Sequence, residues 1–111
     1  MNIPYDSPVL DSILDSLANQ KRRGIIHELS LQPATVGQLA RHQELSLPAI
    51  HKHIRILEDA KLITRKKAGR TNFVALNSGT LGLVQNWISQ YQTGWNSDNS
   101  TLENYISRMQ E

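Results

Sequence analysis

Apolar positions recur at helical spacing through the first half of the chain, then alternate as in a strand, then resume helical spacing. Leu10, Ile13, Leu14 and Leu17 form the first stripe, and Ser7-Pro8 ahead of them supplies an N-cap and a first helical residue, so a helix is expected over 7–18. Asn19 caps a second helix running through Ser30, with Ile25, Ile26 and Leu29 inward. Gly24 inside it costs about 1 kcal/mol relative to Ala, which points to close helix packing. Lys21, Arg22 and Arg23 crowd its first turn, where positive charge is unfavourable, and so require partners: acidic side chains or phosphates. Pro33 closes the connection, and Thr35 with Gln38 fits a capping box for a third helix carrying Val36, Leu39 and Ala40.

A brief turn at Gln43 to Leu45 leads into SLPAIHKHIRILED, with Ser46 as N-cap and Pro48 in the first turn. Leu47, Ile50, Ile54 and Leu57 are expected on its inner face, with Ala49, Lys52 and Arg55 pointing away. Beyond Lys61 the period becomes extended: Ile63 to Ala68 and Thr71 to Leu76 read as two strands, with Gly69-Arg70 at the turn. The resulting architecture is mainly α with a small β-hairpin, a winged helix-turn-helix in one domain over 1–111. The helix-turn-helix spans 35–60, the wing 62–76, and a C-terminal helix or pair of helices 80–110. In that last segment Leu81, Val84, Ile88, Tyr91 and Trp95 alternate spacings of three and four, and Leu102, Tyr105 and Met109 resume the phase with Asp98 as a mismatch. One long helix keeps that phase, whereas Asn96 to Thr101 are poor helix formers and allow a break near Asp98. Trp87, Tyr91 and Trp95 are much aromatic surface for a small body, and with Val84 and Ile88 they suggest a homodimer interface rather than packing on the domain's own core.

Charge sharpens the picture once it is located. The net charge is only +2, yet residues 41–70 hold eight of the twelve Lys and Arg against three acidic residues, while both flanks are slightly negative. Positive charge confined to one supersecondary unit suits phosphate binding, and the expected partner is double-stranded DNA. A helix with a small, polar and basic outer face can enter the major groove while the basic hairpin grips the backbone beside it. Lys52 and Arg55 then reach base edges or phosphate, and Pro48 and Ala49 are small enough to let the helix approach the groove floor. Ser46 caps the helix and lies near phosphate, His51 flanks the outer face, and Arg41 holds the backbone near the turn. His53 lies nearer the core side, where packing with one polar contact competes with base readout. On the wing, Arg65, Lys67 and Arg70 are candidates for phosphate or minor-groove contact, with Lys66 on the opposite side of the strand.

Other functions are less well supported. The chain has no Gly-rich phosphate loop, nucleophile elbow, HExxH or cysteine nucleophile, and no spacing of Ser, His and Asp singles out a triad, so no enzyme is expected. Asp11 and Asp15, one turn apart, read as solvated residues on the outer side of a helix start rather than as a catalytic pair. A winged-helix module that binds protein instead of DNA is the rival, opposed by the basic, small-residue outer face of the second helix of the pair. There is no cysteine, hence no disulfide or thiolate metal site. The N-terminus shows no basic start with an apolar run, and no apolar stretch reaches about 18 residues, so a cytoplasmic protein with no membrane partner is expected.

LANQKRRGIIHEL, TVGQLA and LSLPAIHKHIRILEDAKLITRKKAGRTNFVAL together resemble the ArsR-type (ArsR/SmtB) winged-helix repressors over about residues 8–96. The most specific part is Ser46-x-Pro48-Ala49-x-x-x-His53-Ile54-x-x-Leu57, closed by Leu62-Ile63, the basic strand and Gly69-Arg70. The resemblance implies a dimeric transcriptional repressor that reads an inverted repeat and leaves DNA when an effector binds; the sequence does not name the effector. It also implies dimerisation through the first and last helices, recruiting Leu10, Ile13, Leu14 and Leu17. The chain departs from the family pattern at Asn19-Gln20-Lys21, where Asp-Pro-Thr is usual, near Glu44, where the turn glycine is replaced, and at His51, where serine is common. Family metal sites use third-helix cysteines or ligands in the last helices, but the third helix here has no thiol and the C-terminal segment has no histidine. His51 and His53 lie about 200° apart around a helix, and His27 and His42 are isolated in sequence, so a metal-independent member without cofactor is expected.

Overall fold

The computed structural model describes residues 3–91 and 100–110, with the backbone alone at Ser100. Six helices and a small sheet follow in the order α1 (Pro8–Leu17), α2 (Gln20–Leu31), β1 (Ala34–Thr35), α3 (Val36–His42), α4 (Leu47–Asp59), β2 (Ile63–Ala68), β3 (Thr71–Leu76), α5 (Ser78–Ser89) and α6 (Ser100–Met109). The caps that start these helices are the expected ones. Ser7 Oγ accepts from the Val9 amide at 3.1 Å, Asn19 Oδ1 from Arg22 at 3.0 Å and Ser46 Oγ from Ala49 at 3.3 Å. Thr35 and Gln38 form the reciprocal capping box, at 2.9 and 3.1 Å.

Ile13, Ile25, Leu29, Leu39, Ile50, Ile54 and Leu57 make one core, completed by Leu62, Ile63 and Val74 from the hairpin. The sheet has the order β1-β3-β2. Its β2–β3 ladder runs from Ile63 opposite Leu76 to Ala68 opposite Thr71, and Gly69 sits in the loop with φ +64°. A positive φ at the first central residue of a two-residue loop is the place a II′ turn gives to glycine. The two-residue strand β1, pairing Ala34 with Val74 and Thr35 with Phe73, ties the start of α3 to the wing.

Two helix ends turn on residues other than glycine. Leu45 N–H donates to the Ala40 carbonyl at 2.9 Å and Leu62 N–H to that of Leu57 at 3.0 Å, each after a left-handed residue: Glu44 (φ 56°) and Lys61 (φ 64°). This six-to-one bond is the Schellman motif, which prefers glycine at the left-handed position. The turn between α3 and α4 therefore forms without the family's glycine, at a steric cost of about 1–2 kcal/mol. Glu44→Gly should raise stability by about 1 kcal/mol, since part of the relieved strain goes to the extra freedom of the unfolded chain. A urea midpoint that fails to rise would show that Glu44 is held there by contacts worth as much.

The cations at the start of α2 have partners of another kind than expected. Arg22 Nε donates to the Ser16 carbonyl at 2.6 Å and its Nη2 to that of Asp15 at 3.2 Å, while Arg23 donates to that of Leu17 at 3.0 Å. These carbonyls lie in the last turn of α1, where positive charge is favoured by the helix dipole. Lys21 Nζ donates to the Gln43 carbonyl at 2.7 Å in the turn before α4. Neither acids nor phosphates are needed to explain this cluster. Gly24 is a site of close approach, because a side chain there would run into the Gln43 amide.

The C-terminal segment does not continue as one helix. α5 ends at Ser89, with the Gln90 N–H turning back to the Trp87 and Ile88 carbonyls, well before Asp98. Asp98 and Trp95 lie outside the described residues, and α6 begins at Ser100. No helix among the described residues is long and apolar enough to cross a membrane.

Candidate nucleic-acid interface

The outer face of α4 follows from its amphipathic pattern. Ile50, Ile54 and Leu57 are fully buried and anchor the helix, which leaves Pro48, His51, Lys52 and Arg55 exposed along the opposite side. These four residues border one shallow depression together with Ile56 and Asp59. Ala49, expected to face fully outward, is half-buried. Leu47, expected on the inner face, is 56% exposed. Its angle around the helix is close to that of Ile54, seven positions on, but at the first residue of α4 it projects beyond the end of the core.

The start of α4 and the tip of the wing approach each other. Leu47 and His51 line a groove of about 300 Å³ with Arg70, Thr71 and Asn72 of the hairpin and Thr35, Val36 and Gly37 at the start of α3. His51 and Arg70, 19 positions apart in sequence, thus border one groove. Lys67 and Lys66 are exposed on the wing, with alternate pairing partners: Lys67 opposite Asn72, and Lys66 opposite Phe73. Arg65 pairs across from the buried Val74, on the face turned toward α4, and its guanidinium donates to Glu58 Oε1 at 2.8 Å. Both partners are only partly exposed, so this bond braces the wing against the end of α4. Arg41 is exposed at the end of α3, its guanidinium lying over Gly37. Ser46 spends its hydroxyl oxygen on the Ala49 amide.

His53 is turned inward. Its Nδ1 lies 3.3 Å from Arg22 Nη1, and a guanidinium has no acceptor, so the imidazole nitrogen must accept. That requires neutral His53 with its proton on Nε2. Burial holds its pKa below the usual 6.5, with the Arg22 and Lys52 charges acting in the same direction. Through Arg22, His53 joins α4 to the end of α1. The folded state binds this proton less readily than the unfolded chain, so the contribution to stability is complete above about pH 6.5 and lost as pH falls through the lowered folded pKa. Acidification below pH 6.5 should therefore lower the urea midpoint more in the parent protein than in His53→Gln, which keeps an acceptor but does not titrate. Equal pH dependence in both would show that His53 is uncoupled from folding.

The remaining histidines are dispersed. His42 Nδ1 lies 2.7 Å from Glu28 Oε2, and His27 is exposed; among the described residues no three His, Asp or Glu side chains cluster as a metal site requires.

The residues expected at a dimer interface separate into groups. Leu10 and Ile13 are 1% and 0% exposed, taken up inside the protomer, so they offer nothing to a second copy. Leu17 and Val84 pack partly against the core, whereas Leu14, Ile88 and Tyr91 are exposed, and Trp95 lies outside the described residues. Trp87 is half-buried and meets Tyr91 edge-on with centroids 5.6 Å apart, and its indole N–H has no acceptor among the described residues. A groove of about 340 Å³ on α5, lined by Leu81, Val84, Gln85, Ile88 and Ser89, adjoins this surface.

Comparison with known proteins accords with this geometry. Residues 17–66 match a family model described as a helix-turn-helix domain. An HTH-type transcriptional regulator of Mycobacterium tuberculosis is 32% identical over 80% of this chain and 81% of its own length. The transcriptional repressor SdpR of Bacillus subtilis is 27% identical over 74% of this chain and 91% of its own. The crystal structure of an ArsR family transcriptional regulator superposes with a TM-score of 0.76 at 33% identity, covering 89% of this chain and all of that one.

Proposed function

The chain belongs to the ArsR family of winged helix-turn-helix, DNA-binding transcriptional regulators, and from that premise we propose that it acts as a repressor, binding an inverted-repeat operator as a homodimer. The observation that carries this reading is the meeting of two exposed basic elements. Lys52 and Arg55 stand on the outer face of α4, and Arg70 stands at the wing tip across a groove from the first turn of the same helix. α4 has 13 residues, roughly 20 Å of helix, and a helix with its side chains matches the major-groove width of about 12 Å.

In this reading Arg55 and Lys52 reach base edges or phosphates, His51 lies beside them, and Pro48 and Ala49 permit close approach. Arg70 and Lys67 contact the backbone flanking the groove, as do Arg41 and Ser46 near the turn. Arg65 and His53 hold the wing and the reading helix in place through Glu58 and Arg22. The dimer forms through exposed apolar residues at both ends of the chain: Val9 and Leu14 on α1, Ile88 on α5 and Tyr91 just past its end, and Leu102, Tyr105, Ile106 and Met109 on α6. A single-chain body seldom leaves so much large apolar surface uncovered.

Affinity for a mixed-sequence duplex, measured against salt concentration, tests the reading. A steep loss with added salt is expected from released counterions, and Arg70→Ala should weaken specific and non-specific binding alike and flatten the slope by about one unit. A flat salt response would favour a protein-binding module instead.

A further inference from the structure

Resting on the DNA-binding reading above, we infer that Leu47 is a specificity-determining residue that recognises the 5-methyl group of a thymine in each half-site. Exposure of a single leucine is ordinary and argues nothing alone. Its surroundings set Leu47 apart. Leu47 is the first residue of α4, 56% exposed, and apart from the buried Val36 the groove it lines is made by Thr35, Gly37, His51, Arg70, Thr71 and Asn72. Its methyl groups thus stand in a groove that is otherwise largely polar, between a basic wing tip and the outward face of the reading helix.

Recognition helices of this architecture contact base edges with their N-terminal residues. Leu47 has no hydrogen-bonding group and so cannot read a donor or acceptor. The apolar feature that a base pair presents in the major groove is the thymine methyl. Pro48, also exposed and apolar, extends the same surface, and the polar readers His51, Lys52 and Arg55 begin only one turn further along. The helix is therefore divided into an apolar first turn and a polar, basic continuation. A thymine under the first turn, beside pairs that offer acceptors to Arg55 or Lys52, is the half-site this division fits.

The test uses the full chain and a duplex enriched by it from a random pool. Each thymine is replaced singly by deoxyuridine, which deletes the methyl and nothing else. For the parent protein, one thymine per half-site should weaken binding about three- to fivefold when its methyl is removed, the amount expected for one buried methyl-sized group. Leu47→Ala should bind the thymine duplex more weakly and be indifferent to that replacement. Leu47→Gln, offered a fresh random pool, should shift the preference at that position toward adenine, whose N6 and N7 a glutamine pairs with bidentately. Because the side chain lies outside the core, both variants should unfold at the parent's urea midpoint. Equal sensitivity to the missing methyl in parent and Leu47→Ala, or no sensitive thymine in the enriched duplex, overturns the inference while leaving DNA binding intact. Failure to enrich any duplex overturns the DNA-binding reading itself, and this inference with it.

Discussion

Ile54→Ala should cost about 2–5 kcal/mol of folding stability, the range for truncating a large core side chain. Ile54 is fully buried in the middle of α4, between Ile50 and Leu57 one turn to either side, and this stripe fixes α4 to the domain. The cavity left by three missing carbons lies among side chains from α2, α3 and the hairpin, which cannot all collapse into it. Against the 5–15 kcal/mol typical of a small domain, the loss is a large share of the total. Affinity per folded molecule should change little, because the outer face is untouched. The variant should thus bind DNA normally when cold and lose binding at a lower temperature than the parent, in step with its circular dichroism. A urea midpoint close to the parent's would contradict the packing of α4 described above.

Lys52→Ala and Arg55→Ala should behave in the opposite way. Both side chains are exposed and away from the core stripe, and alanine suits a helix interior, so stability should be unchanged or slightly raised. Binding to the cognate duplex should weaken by about 1–3 kcal/mol where the side chain reads a base. Of the two, Arg55 is expected to show the larger and more sequence-dependent loss, since a guanidinium pairs bidentately with guanine O6 and N7 and an ammonium does not. A loss shared equally by cognate and random duplexes would assign the residue to phosphate contact. Unchanged affinity in both variants would remove this face of α4 from the interface.

These expectations rest on elements that differ in how openly the sequence declares them. The hairpin was legible to its ends, because the two extended runs Ile63 to Ala68 and Thr71 to Leu76 are separated only by Gly69-Arg70, a two-residue loop led by the glycine that a tight turn demands. The caps at Ser7, Asn19, Thr35 and Ser46 were legible for a similar reason: each is a local bond between a short polar side chain and an amide two or three residues on. β1 was not, since a two-residue strand has no period and exists only because β3 arrives beside it. The Lys21-Arg22-Arg23 cluster showed that cations needed partners, but carbonyls at the end of another helix carry no sequence signal. Periodicity placed Leu47 at the right angle and the wrong depth, because a helical wheel knows rotation but not where the core ends. The same limit applies to Leu10 and Ile13, whose stripe is apolar whether it meets α2 and α4 or a second copy. In the C-terminal segment the heptad phase suggested continuity that the backbone does not keep past Ser89.

The candidate site divides along the same line. Arg55, Lys52 and His51 could be placed from the period of α4 alone, and Arg70 from its position in the turn. That His51 and Arg70 border one groove depends on the path of the hairpin past the start of α4. The inward turn of His53 follows from Arg22, contributed by a different helix. Sequence showed which residues were basic and outward; the tertiary arrangement showed which of them are already engaged by other protein groups.

Selection of duplex DNA from a random pool by the intact chain, followed by sequencing of what is retained, tests whether the protein recognises an inverted-repeat operator as a dimer. The enriched duplexes should bear two inverted half-sites with centres about 10 base pairs apart, the spacing of two α4 helices on successive major grooves of one face. Their binding should weaken steeply as salt is added. A pool that emerges with no sequence enriched, from a protein whose retention of DNA is indifferent to salt, would contradict such recognition.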